Sequence, residues 1–185
     1  GDCWTWQNPL PQGNYLTDIF FVDAQTGWTV GYKGTILKTV NGGDTWTPQA
    51  SGTTNHLFSV QFSDAQTGWA VGQNGTILKT VDSGSTWMKQ ISGTIEGLQS
   101  VYFINAQTGW AVGSNGTVLK TLNSGNSWSI QTSNTTYGLT SVFFVTSQVG
   151  WAGGANNGSG AILKTMDGGN TWTTQVSGSI QDIYS

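Results

Sequence analysis

Apolar and polar residues largely alternate along Leu57-Phe58-Ser59-Val60-Gln61-Phe62, and this run opens a pattern that predicts four short strands. The second strand is Gly68 to Gly72, the third Gly75 to Thr80 and the fourth Thr86 to Gln90, with Gly, Asn and Asp at the turns between them. No segment carries the i, i+3, i+4 apolar spacing of a long helix. The third strand sets Ile77 beside Leu78, so apolar groups emerge on both faces, as expected of a small sheet sandwiched between two neighbours.

The same pattern is written four times. Trp28, Trp69, Trp110 and Trp151 stand 41 residues apart, and Trp46, Trp87 and Trp128 keep that step. The last interval, to Trp172, is 44 because the stretch Gly154 to Ala161 carries three extra residues, read as an enlarged hairpin turn. A four-stranded unit of this length predicts an all-β propeller of antiparallel blades, with full blades at 16–56, 57–97, 98–138 and 139–179. Residues 1–15, through Trp4 and Trp6, resemble the last strand of a preceding blade, and residues 180–185, through Ile180, Ile183 and Tyr184, the first strand of a further one. Such apolar ends are expected to pair within a ring or with another chain.

Composition narrows the function. Only 8% of residues are charged, against about 25% in an ordinary soluble domain. Six lysines, no arginine and a net charge of −3 leave no electrostatic footprint for nucleic acid. No apolar run approaches the roughly 18 residues of a membrane span. Gly1-Asp2-Cys3 lacks the pattern of a signal peptide, so the chain reads as processed or as a fragment, and Cys3 as an idle terminal thiol. With one His and one Cys no zinc site can be drawn, no dense Asp-x-Asp-x-Asp-Gly calcium loop occurs, and no cofactor is expected. The charge-poor composition suggests a secreted or surface-exposed module.

The turn between strands three and four is the most specific local motif. Thr39-x-Asn41-x-Gly43-x-Thr45-Trp46 recurs around Asp82, Gly84 and Trp87, around Asn123, Gly125 and Trp128, and around Asp167, Gly169 and Trp172. Its Asn or Asp oxygen is expected to accept from backbone N–H groups two or three residues on, its Gly to take positive φ, and its Trp to close the hairpin. Since Asn and Asp interchange, the role is structural rather than catalytic or metal-binding. The motif resembles the Asp-box, or bacterial neuraminidase repeat. The full unit, F-x-D-A-Q-T-G-W-x-V-G-x-x-G-T-I-L-K-T-x-D-G-G-x-T-W, is similar to the photosystem II stability/assembly factor-like propellers. That family includes a photosynthetic assembly factor and many secreted bacterial proteins, so the resemblance implies an Asp-box propeller more directly than any activity, and with it a secreted bacterial protein. In photosynthetic members an arginine-rich patch is associated with function, and this chain has no arginine.

Enzyme readings find little support. Sialidases resemble this repeat but use an arginine cluster, and a general glycosidase needs two carboxylates across a cleft. Glu96 is the single Glu, while Asp23 and Asp64 share a turn position with Asn105 and Thr146. Lys38, Lys79, Lys120 and Lys164 recur once per blade, each with its stem over apolar surface and its ammonium expected in water.

Turns of a meander alternate between two faces. The Asp-Ala-Gln-Thr-Gly-Trp and Asp-box turns barely vary between blades, whereas the second-to-third turns and the interblade loops, on the opposite face, differ from copy to copy. That variable face carries Tyr32, Lys33, His56, Glu96 and Tyr137, suited to protein or glycan contacts. The reading is a non-enzymatic binding scaffold for a protein or glycan. A self-assembling surface or filament component, joined through the ends, and a glycoside hydrolase-like fragment are its alternatives.

Overall fold

A computed structural model describes residues 13–156 and 159–175, so Cys3, Trp4, Trp6, Ile180, Ile183 and Tyr184 lie outside the described residues. Among the described residues sixteen strands form four sheets of four. The first blade holds β1 (Leu16–Phe21), β2 (Gly27–Gly31), β3 (Ile36–Thr39) and β4 (Thr47–Pro48). The second holds β5 (Leu57–Phe62), β6 (Gly68–Gly72), β7 (Thr76–Thr80) and β8 (Met88–Gln90). The third holds β9 (Leu98–Phe103), β10 (Gly109–Gly113), β11 (Val118–Thr121) and β12 (Ser129–Gln131). The fourth holds β13 (Gly138–Phe144), β14 (Gly150–Asn156), β15 (Ser159–Thr165) and β16 (Thr173–Gln175). Each sheet is an antiparallel meander in chain order. Strands β1, β5, β9 and β13 neighbour one another in succession, which sets the first strands at the inside of an arc of blades and the fourth strands at its rim.

The cores lie between blades rather than within them. Ile77 packs toward the third blade and Leu78 toward the first, the two-faced burial that their adjacency predicts. At each junction a tryptophan from one blade stacks on a phenylalanine from the next. Trp28 lies 3.6 Å from Phe62, Trp69 3.5 Å from Phe103 and Trp110 3.5 Å from Phe144 between ring centroids. The same phenylalanines meet the Asp-box rings Trp87, Trp128 and Trp172 edge-on. Each junction tryptophan also donates its indole N–H to the Asp-box turn ahead, to the carbonyls of Ser83, Ser124 and Gly168. The Asp-box glycine makes this approach fit: a Cβ on Gly84 would stand 2.9 Å from the indole nitrogen of Trp28.

Two expectations need correction. The Lys79 ammonium does not reach into open water. Its residue is 7% exposed, its Nζ stands 6.0 Å from the centre of the Trp69 ring, and it donates to Asn126 Oδ1 of the next blade at 3.1 Å. Burial holds its pKa below the ordinary lysine value. Lys120 makes the same reach, to Asn170 at 3.5 Å. The cause is register: Lys79 is paired across the sheet with Trp69, on the face that the next blade covers. The insertion near Gly154 is likewise not simply a longer turn, since it lengthens the strands and pairs Gly154 with Ala161, Ala155 with Gly160 and Asn156 with Ser159.

Candidate functional site

The Asp-box turns cap one face of the arc. Asn41 Oδ1 accepts from the Thr39 hydroxyl at 2.9 Å and from the backbone N–H of Thr45, four residues on rather than two or three, at 3.0 Å. The extra residues are spanned because Gly42 and Gly43 both take positive φ. Two-and-three spacing belongs instead to the β1–β2 turn, where Asp23 Oδ1 accepts from the N–H groups of Gln25 and Thr26. Asp64, Asn105 and Thr146 repeat that contact.

Asn and Asp interchange in the Asp-box by reversing one hydrogen bond. Asn41 and Asn123 donate through Nδ2 to the hydroxyls of Thr45 and Ser127, whereas Thr86 and Thr171 donate their hydroxyls to Oδ2 of Asp82 and Asp167 at 2.6 Å. The Thr86 hydroxyl, then its backbone N–H, holds the Asp82 carboxyl below its usual pKa. The matching bonds from Thr171 bring Asp167 from 3.8 to about 2. A depressed folded-state pKa gives stability that is complete above the unfolded value and is lost as pH falls through the folded one. The combined change Asp82→Asn and Asp167→Asn is therefore expected to alter stability by less than about 0.5 kcal/mol at neutral pH. It should also flatten the loss of stability between pH 3.8 and about 2, read as thermal midpoints across that range.

The opposite face is built from the interblade loops and the β2–β3 turns. In the first three blades that turn is a single 3-10 turn whose middle residue, Lys33, Asn74 or Asn115, has φ between 53° and 56°. Backbone bonds from Tyr32 N–H to the Tyr15 carbonyl, Gln73 to His56 and Ser114 to Gly97 tie each turn to the loop that leads into its own blade. Three of the sequence-predicted residues come together here. The His56 ring stacks on Tyr32 with centroids 4.2 Å apart and planes inclined by 12°. His56 Nδ1 accepts from the backbone N–H of Lys33 at 3.0 Å, which places the proton of the neutral ring on Nε2. Tyr15 joins them edge-on to Tyr32 at 5.5 Å.

Glu96 and Tyr137 lie on the same face, one and two junctions further along the arc. Glu96 accepts from the Asn115 side chain at 3.0 Å. Tyr137 lines a groove of about 650 Å³ with Ile130 and Thr136. One blade earlier a groove of about 820 Å³ is lined by Asn74, Lys89, Ile91 and Ile95, the last two 87% and 85% exposed. Sequence reasoning missed Tyr15, Ile91 and Ile95. Ile91 and Ile95 break the otherwise polar interblade loop, a signal that was available.

At the inside of the arc the first strands enclose a polar cavity of about 320 Å³ lined by Thr17, Asp18, Ser59, Gln99, Ser100 and Thr140. Among the described residues lining it Asp18 carries the carboxylate, and both of its oxygens are engaged. Oδ1 accepts from the N–H of Ile19, and Oδ2 from the N–H of Val60 in the next blade at 2.8 Å. Asp18 thus splices two inner strands. Among the described residues no group of three His, Cys, Asp or Glu side chains gathers to hold a metal ion.

Four meander blades, each closed by an Asp-box turn and joined to the next by a tryptophan seated on its glycine, define a β-propeller of the Asp-box type. Residues 2–92 and 51–184 match the model of the family described as photosynthesis system II assembly factor YCF48, and the chain belongs to that family. A 52-residue segment is 46% identical to the chloroplastic photosystem II stability/assembly factor HCF136 of Cyanidioschyzon merolae, over 27% of this chain and 12% of that protein.

Among solved structures, YCF48 from the same alga superposes with a TM-score of 0.73 at 24% identity, over 94% of this chain and 60% of that one. YCF48 bound to D1 peptide gives 0.62 at 18% identity, over 90% of this chain and 82% of that one. A GH74 enzyme from Niastella koreensis gives 0.69 at 20% identity, over 82% of this chain and 28% of that one. At these identities the structures establish the fold alone.

The relatives overturn the expected secreted or surface location in bacteria, because the curated matches are chloroplastic photosystem II assembly factors. A charge-poor, turn-rich repeat reflects how blades stack, which is indifferent to compartment. No helix among the described residues is long and apolar enough to cross a membrane.

Proposed function

We propose that this chain is a non-enzymatic, protein-binding propeller module that takes a peptide segment of its partner on the face formed by the interblade loops and the β2–β3 turns. The observation that carries this reading is the stacked Tyr32–His56 pair, flanked by Tyr15 and Lys33, at a junction whose turns otherwise follow the common blade pattern. Aromatic rings held at low conformational cost are the usual anchors of protein interfaces. The fold also matches a YCF48 structure that holds a D1 peptide. The likeness to GH74 enzymes gives less support to hydrolysis, since among the described residues lining the central cavity Asp18 is the carboxylate, with both oxygens occupied, where glycoside hydrolysis requires a pair.

The test is titration of a labelled D1 peptide by fluorescence anisotropy. The double change Tyr32→Ala and His56→Ala is expected to weaken binding by at least about 30-fold, the scale of a hot-spot loss. Affinity unchanged by the double substitution, or no binding by the unaltered chain, would contradict the proposal.

A further inference from the structure

The groove that holds Ile91 and Ile95 is lined by side chains that the blade repeat does not require. By the 41-residue step the place of Ile91 is taken by Ala50 in the first blade and Thr132 in the third, that of Ile95 by Thr54 and Thr136, and that of Lys89 by Pro48 and Ile130. All three blades nevertheless fold this interblade loop alike. A serine hydroxyl closes it by donating to the carbonyl two residues on, Ser51 to Thr53, Ser92 to Thr94 and Ser133 to Thr135. The isoleucines of the second blade therefore do not shape the loop, and at 87% and 85% exposed they do not fill a core either.

Position and charge say what this groove takes. Its wall Asn74 donates to Asn55, the neighbour of His56, and Gln73 bonds the His56 backbone at both its N–H and its carbonyl. The groove thus continues the surface that carries the Tyr32–His56 stack. Its cation is Lys89, exposed, whose ammonium has no acceptor among the described residues. Glu96, the acidic residue that follows Ile95, is engaged elsewhere, by the Asn115 side chain of the next blade. Exposed aliphatic side chains beside an uncompensated ammonium are complementary to a segment that carries an aliphatic group next to a carboxylate.

We propose that this groove holds an acidic–aliphatic stretch of the partner peptide, with an aliphatic side chain against Ile91 and Ile95 and the carboxylate of an adjoining Asp or Glu on Lys89. The inference rests on the reading of the loop face as the peptide-binding face. The Tyr32–His56 stack then anchors the peptide, and the groove sets which peptides are preferred.

The test is selection from an array of random-sequence peptides, followed by fluorescence anisotropy of the selected peptides against the chain and its variants. Selected peptides are expected to carry an aliphatic residue beside Asp or Glu. Lys89→Glu should weaken them by at least about 10-fold, and should bind the same peptides about 10-fold better once their acid is changed to lysine, a rescue that a damaged fold would not give. Ile91→Thr with Ile95→Thr, which installs the residues that the third blade holds at both places, should weaken them by at least about 10-fold and leave the circular dichroism unchanged. Peptides lost on Tyr32→Ala with His56→Ala but indifferent to the Lys89 and isoleucine changes would overturn this inference and leave the peptide-binding face standing. Peptides lost on the Lys89 and isoleucine changes but indifferent to the Tyr32 and His56 changes would uphold the groove and contradict the stack as anchor. No peptide selected by the unaltered chain would overturn both. A chain that sediments above its 19.6 kDa mass and returns to it on the isoleucine changes would show a second copy filling the groove, and would overturn the proposal too.

Discussion

Trp69→Ala is expected to lower unfolding stability by about 4 kcal/mol, within the range for deleting a buried aromatic side chain. The residue is 0% exposed, its ring is stacked on Phe103 at 3.5 Å, and its indole N–H donates to the Ser124 carbonyl at 3.1 Å. Truncation therefore opens a cavity at a blade junction and leaves Lys79 without the ring beneath it. The loss should exceed that for Trp46→Ala, whose Asp-box ring is only half-buried. Denaturant titration measures both. Equal losses would show that the Asp-box hairpin, rather than the junction, carries the stability.

Gly72→Ala is expected to destabilise by about 3 kcal/mol, at the upper end for overpacking a close-packed site. The φ of Gly72 is −173°, an extended value open to any residue, so conformation does not demand glycine here. Contact does. A Cβ would be driven into the His56 carbonyl oxygen, the group that accepts the Gln73 N–H and fixes the β2–β3 turn to its loop. Gly31, Gly113 and Gly154 stand in the same relation to Tyr15, Gly97 and Gly138. The neighbouring register shift between Leu57 and Ser59 shows how the inner strand bends toward this glycine. Because the atom displaced is backbone beside His56, the substitution should also move the Tyr32–His56 stack and weaken peptide binding. A thermal midpoint within a degree or two of the unaltered protein would contradict the steric account.

Much of this architecture is legible in the chain. The 41-residue tryptophan step gives the blade, and Ile77 beside Leu78 gives its two buried faces. The placement of Tyr32, Lys33 and His56 on the variable face follows from the alternation of turns in a meander. What a single repeat conceals is the identity of the partner across a junction. Lys79 reads as a solvated lysine because its acceptor, Asn126, lies 47 residues away on another blade. The role of Asp18 is hidden in the same way, because its partner, the Val60 N–H, is 42 residues on. Both contacts follow from the angle between sheets, which no local pattern encodes. Tyr15, by contrast, was legible from the repeat, since it stands one 41-residue step before His56, ahead of its own blade. The four repeated glycines at 31, 72, 113 and 154 were a readable signal for a close backbone approach, although their second partner could not be named.

In the proposed function the face of interblade loops and β2–β3 turns, rather than the Asp-box face, receives a protein partner. Hydrogen–deuterium exchange of the chain with and without D1 peptide tests it most directly. Binding should slow exchange at residues 32–34 and 53–57, around the Tyr32–His56 stack, and leave the Asp-box turns at 40–46 and 81–87 unchanged. Slowed exchange confined to the Asp-box turns, or to the strands lining the Asp18 cavity, would contradict the account.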